Sequence, residues 1–146
     1  MKIDIMTRLH ELMPSDAGME LPPKIFVDMG GEFIDFIEEK SLTVRFPNKE
    51  RYMNPLGFMQ GGIIVAAMDN AIAPLSYILA PPNITKEINA SFKRPVTQID
   101  RYIDVTASVI KKTSAYIILQ AEVRNEKGKL VAKGIARCVF IKARKP

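Results

Sequence analysis

Residues 61–80, GGIIVAAMDNAIAPLSYILA, are the longest apolar run in the chain, and they limit what everything else can fold into. A stretch of this length suits either a buried helix or a membrane span. Asp69, Asn70 and Pro74 near its middle argue against the span, because charge in hydrocarbon is costly, and no second such run exists. The run therefore predicts one long buried helix. It starts at Gly61-Gly62, after the turn signal Asn54-Pro55-Leu56-Gly57, and cannot continue through Pro81-Pro82. Pro74 is expected to kink it, since its ring meets the carbonyl of Asn70.

Around this helix the pattern is of strands. EFIDFIEEK and SLTVRFP read as two strands joined by a turn at Glu38-Glu39-Lys40, with Leu42, Val44 and Phe46 alternating against Thr43 and Arg45. Downstream, TKEINASFKR, RYIDVTASVIKK, SAYIILQAEVRN and KLVAKGIARCVFIK read as four more. In the first of these, Ile88, Ala90 and Phe92 share one face. In the last, Ala132, Gly134, Ala136 and Cys138 share a face small enough to lie close against a helix. No βαβ repeat appears, so doubly wound parallel folds are disfavoured. The expected class is α+β, a largely antiparallel sheet wrapped on one central helix, in a single domain spanning 1–146. Residues 1–30 supply a short amphipathic helix over 3–13, closed by Pro14, and a linker containing LPPKIF.

Composition excludes more than it selects. Hydrophobic residues are 47% and charged residues 25% of the 146, enough for a folded core. Cys138 is the only cysteine, so no intrachain disulfide forms and a reducing compartment, the cytoplasm, is expected. The opening MKIDIMTRLHELMP mixes charges of both signs with apolar residues, unlike a secretory leader. The net charge of +5 suits phosphate-bearing ligands, although a solvated basic surface explains it equally well. Its lysines and arginines are scattered, so a nucleic-acid groove is not expected. A Ser-His-Asp, Cys-His or zinc site would have to use His10, the sole histidine. His10 lies off the Ile5, Leu9, Leu12 stripe and is expected on the surface. Triad hydrolases and metal sites fit poorly.

Asp69 has two explanations of equal weight by position alone: an ion pair with an arginine from a strand, or a working group. Gly61 favours the second. A glycine at a helix N-terminus leaves a backbone N–H free, admits a ligand closely and sits at the positive end of the macrodipole. That is the equipment of an oxyanion hole, to which Asn54 can add an amide, with Asp69 as base or nucleophile. Eight residues separate Gly61 from Asp69, roughly 12 Å along a helix. Both cannot reach one reacting group, so a shared site requires Asp69 from a second subunit.

At these residues the sequence resembles the PaaI-like group of hotdog-fold acyl-CoA thioesterases, the group that includes mammalian thioesterase superfamily member 2. The group's pattern is an Asn, a short Gly-containing turn, His-Gly-Gly, and an Asp within the long helix. Here it reads Asn54 through Gln60-Gly61-Gly62 to Asp69-Asn70, followed by INASFKRPV as the matching next strand. The resemblance implies Gly61 as donor to the thioester carbonyl, Asn54 as a supporting contact and the neighbour's Asp69 as base or nucleophile. Thr85 falls where some members place a serine that positions the attacking water. Gln60, Gly62 and Asn70 are carried over as substrate-side positions. The resemblance further implies coenzyme A, as part of the substrate, at a subunit interface in a dimer or a dimer of dimers, with no separate cofactor. Two departures stand out: Gln60 replaces the motif histidine, and Thr113-Ser114 stands where many relatives carry Gly-Arg or Gly-Lys. Lys111, Lys112 and Arg94 are then phosphate candidates by charge alone. Phe33, Phe36, Met59, Ile63, Tyr77 and Phe92 are candidates to line an acyl pocket. The expected activity is acyl-CoA hydrolysis; the alternative is a non-catalytic hotdog protein that binds acyl-CoA as sensor or carrier.

Overall fold

A computed structural model describes residues 4–12 and 20–142. Helix α1 covers Ile5–Leu12, with Ile5 buried and His10 exposed. The Pro14 stop, and the Leu9 and Leu12 side chains, lie outside the described residues. The linker expected at LPPKIF is corrected in part, because Lys24–Asp28 form a short helix, α2, whose N-cap is Pro23. A proline just ahead of the first turn suits a helix start, since the N–H it lacks would be unpaired there. Phe26 of α2 is buried, stacked on Phe33 at 4.9 Å and edge-on to Phe46 at 5.9 Å.

Strands β1 (Glu32–Ile37) and β2 (Ser41–Pro47) form the expected hairpin, turning through Glu39 at φ +60°. The long helix, α3, runs from Gly61 to Leu79 without interruption at Pro74. Then follow β3 (Asn83–Phe92), β4 (Tyr102–Lys112), β5 (Tyr116–Asn125) and β6 (Leu130–Phe140). All six strands join one antiparallel sheet in the order β1-β2-β4-β5-β6-β3. β3 leaves the hairpin order and pairs with β6, which makes it an edge strand.

One sheet face closes on α3. Leu42, Val44, Phe46, Ile103, Val105, Ile117, Leu119 and Val123 are buried against Ala67, Met68, Ala71, Ile72 and Leu75 of the helix. Each such side chain contributes roughly 1.5–3 kcal/mol on burial, which is why α3 is a core helix despite being apolar enough to cross a membrane. The small face of β6 lies under the helix as its composition predicts. A Cβ added at Gly134 would come within 2.7 Å of the Met68 sulfur.

Strand β3 forms where its alternation predicts, but its apolar face is left largely uncovered. Ile88 and Ala90 are only half-buried, and Phe92 and Ile84 are 50% and 44% exposed. Its outer edge has no neighbouring strand among the described residues.

Candidate active site

The sequence motif folds into a loop that delivers the start of α3. Asn54 organises that loop: its side-chain oxygen accepts from the N–H groups of Leu56 and Phe58, and its backbone N–H donates to the Phe58 carbonyl. Gly57 takes φ +81° at the turn. The Gln60 N–H donates to the Tyr52 carbonyl, and the Gln60 carbonyl accepts from Ile63 and Ile64, opening the helix. The Gln60 side chain is exposed and caps nothing. The amides of Gly61 and Gly62 have no acceptor among the described residues, the state a helix start leaves them in.

A cavity of about 380 Å³ opens over this helix start, bordered by Asn54, Phe58, Gly61, Phe92, Lys93 and Arg94. A Cβ at Gly61 would meet the Phe92 ring at 3.3 Å, so glycine keeps the amide approachable. Gly62 is exposed, with nothing within 4 Å of an added Cβ. Two cations and the positive helix terminus bias this cavity toward anions.

Asp69 lies eight residues further along the same unbroken helix, so within one chain the separation of roughly 12 Å holds. Its carboxylate is half-buried and forms no ion pair among the described residues, which removes the salt-bridge explanation. The Thr85 hydroxyl donates to Asp69 Oδ1 at 3.0 Å, and the Cys138 sulfur lies 3.8 Å from that hydroxyl. A register shift between Thr85 and Glu87 marks a bulge beside this contact. Burial pushes the Cys138 thiol up, against the lowering effect of its Thr85 bond, and the Asp69 charge adds to the rise. Burial, then the Asp69 charge, likewise raises the Tyr77 phenol. The surroundings of Asp69 thus hold these neighbours neutral.

The remaining sequence candidates divide. Arg94 borders the Gly61 cavity. Lys111 is exposed, and Lys112 Nζ donates to the Leu79 carbonyl at the far end of α3. Asn70 Nδ2 donates to the Ala66 carbonyl at 2.9 Å and approaches the Met29 sulfur at 3.6 Å. It also borders a second, apolar cavity of about 70 Å³, closed by Met6, Leu21, Phe26, Phe33, Ala73 and Tyr77. Of the acyl-pocket candidates, Phe33 and Tyr77 line this cavity and Met59 and Phe92 the first; Phe36 and Ile63 line neither. Met6, Leu21 and Phe26 carry no sequence signal for this cavity, because nothing in the sequence ties the N-terminal segment to α3; Ala73 and Lys93 join the two cavities only through the fold. No group of three or more His, Cys, Asp and Glu side chains gathers as metal ligands among the described residues.

Residues 56–132 match the profile of the Thioesterase superfamily. The chain belongs to that superfamily. This thioesterase is 28% identical over 110 residues to a Saccharolobus solfataricus protein whose assigned name is that of an esterase, covering 74% of this chain and 77% of the relative. It superposes on the Escherichia coli PaaI protein of the phenylacetic acid degradation operon with a TM-score of 0.80 at 17% identity, covering 95% and 97% of the two chains. A Streptococcus mutans protein bound to acetyl CoA superposes at 0.73 with 14% identity, covering 90% and 100%. These two structures establish the shared fold, one antiparallel sheet around a long helix, which is the hotdog fold. Family membership makes the thioesterase a thioester hydrolase, with Asp69, Asn54 and the Gly61 amide lying on or beside its matched segment.

Proposed function

We propose that this protein is a cytoplasmic acyl-CoA thioesterase, a homodimer or dimer of dimers whose active sites lie across the β3 edges. One observation carries the reading. The exposed edge strand has Asp69 bonded to Thr85 near its start and Gly61 packed on Phe92 at its end. Antiparallel addition of a second β3, with Thr85 of one copy across from Phe92 of the other, brings one copy's carboxylate toward the other's helix start. Two-fold symmetry then produces two equivalent sites. The unpaired edge and half-buried Ile88 and Ala90 favour such an addition.

In this site the Gly61 amide, supported by the Asn54 amide group, polarises the thioester carbonyl. Asp69, oriented by Thr85 through Oδ1, takes a proton from water through Oδ2. The water oxygen bonds to the carbonyl carbon, and the resulting oxyanion is held at the helix terminus. Collapse breaks the carbon–sulfur bond, and the thiolate leaves with the proton from Asp69, giving free acid and coenzyme A. Lys93 and Arg94 beside the cavity suit the phosphates of coenzyme A, which enters as part of the substrate; no further cofactor is required. The acetyl CoA bound by the Streptococcus mutans relative supports this substrate class.

The test is thiol release from acyl-CoAs by the wild type and by Asp69→Ala. Loss of turnover by about 10²–10⁴ is expected for removal of a general base. Tight binding with no turnover of any acyl-CoA would mark a carrier and sink the proposal.

A further inference from the structure

The two cavities have opposite chemistry. The one over Gly61 is open and bordered by Lys93 and Arg94, whereas the one beside α3 is closed and almost wholly apolar. Asn70 is the only side-chain amide on the apolar one among the described residues, and its Nδ2 is already bonded to the Ala66 carbonyl. The apolar cavity also has a wall one helical turn along α3 from Asp69. Ala73, on its wall, is one helical turn beyond Asp69, which leaves their Cβ atoms about 5–6 Å apart. Tyr77, a further turn along, lines the same cavity. A coenzyme A thioester has a polyanionic end and an apolar end on either side of its carbonyl, and the cavities match those ends in order.

Building on the acyl-CoA hydrolase reading, we propose that the apolar cavity takes the acyl chain and selects medium-length aliphatic groups over aromatic ones. Size decides the class. An apolar cavity of about 150 Å³ holds a benzene ring, so the volume of about 70 Å³ here is half of that and holds roughly three carbons. The turn of about 5.4 Å along α3 from Asp69 to Ala73 takes some four carbon–carbon bonds of about 1.5 Å in zigzag. With the carbonyl carbon, the chain totals roughly eight carbons. The far wall is the stacked pair Phe26 and Phe33, with Leu21 beside it, and these residues set the limit.

The test compares kcat/KM for butanoyl-, octanoyl-, palmitoyl- and phenylacetyl-CoA. The wild type is expected to prefer octanoyl-CoA. Ala73→Leu narrows the mouth, and the octanoyl-to-butanoyl ratio should fall at least tenfold, the value of a misplaced methylene in an apolar pocket. Leu21→Ala opens the far end from a segment outside the fully buried core, and the optimum should move to longer chains even if the Ala73 variant folds poorly. A profile moved by neither variant, or a preference for phenylacetyl-CoA, overturns the assignment. If Asp69→Ala abolishes turnover while the profile stays fixed, only the pocket is wrong. If Asp69→Ala retains full turnover, the hydrolase mechanism fails and the pocket assignment with it.

Discussion

Mixing two crippled chains tests the shared site directly. Asp69→Ala removes the proposed base, and Asn54→Ala removes the side chain that accepts from Leu56 and Phe58 and shapes the helix start. Each homodimer should lose at least about 10²-fold in kcat. Gly61 and Asp69 of one chain are separated by eight residues of unbroken helix, roughly 12 Å, so the proposed site draws its two halves from different chains. In a mixed dimer both defects then fall in one site and leave the other intact. Random assortment makes half of the dimers mixed, each with one working site of two, so the mixture should recover about a quarter of wild-type activity. The assay is thiol release after subunit exchange, with mixed dimers counted by native mass spectrometry. Activity that stays at the parental average while mixed dimers are present would refute the interfacial geometry.

Thr85→Val should lower kcat about tenfold through loss of the hydroxyl bond to Asp69 Oδ1, with stability lowered by no more than ~1.5 kcal/mol, the net worth of one hydrogen bond. Steady-state kinetics beside a urea melt check both, and an unchanged kcat would remove Thr85 from the mechanism. Gly134→Ala should cost about 1–3 kcal/mol in urea unfolding, toward the low end because the atom it meets is the flexible Met68 sulfur. No loss would mean that α3 is not pressed onto β6. The Cys138 thiol and Tyr77 phenol both hold protons more tightly in the folded chain than at their ordinary values of 9.0 and 10.0. Their contribution is therefore fully present below pH 9 and is lost as pH rises through the folded values. Urea midpoints should fall above pH 9, with a shallower onset in Cys138→Ala; an identical slope would discount the thiol.

Much of the fold was legible because burial leaves a period in the sequence. The alternation in SLTVRFP predicts the observed inward row of Leu42, Val44 and Phe46, and the small face of β6 foretells contact with α3. The same logic places Ile88, Ala90 and Phe92 on one face of β3 and stops there. Periodicity reports which side chains share a face but not whether the chain covers that face itself, and Phe92 remains half exposed. Helix α2 was hidden because its Pro-Pro start reads as a linker, although Pro23 directly before the first turn is a recognisable helix-start signal. Lys112 looked like a free cation until the fold laid it against the Leu79 carbonyl.

By itself the sequence determined that 61–80 forms a core helix, observed to end at Leu79, that its start carries free amides, and that Asp69 sits roughly 12 Å along it, because rise per residue and turn chemistry are local properties. Tertiary structure alone decided what Asp69 touches. The pairing of β3 with β6 brings Thr85 to the carboxylate and leaves an edge unpaired, and the return of the N-terminal segment over α3 closes the apolar cavity. Those contacts join residues far apart in the chain, and strand order and long-range packing follow from the total burial of the fold, which no local pattern records.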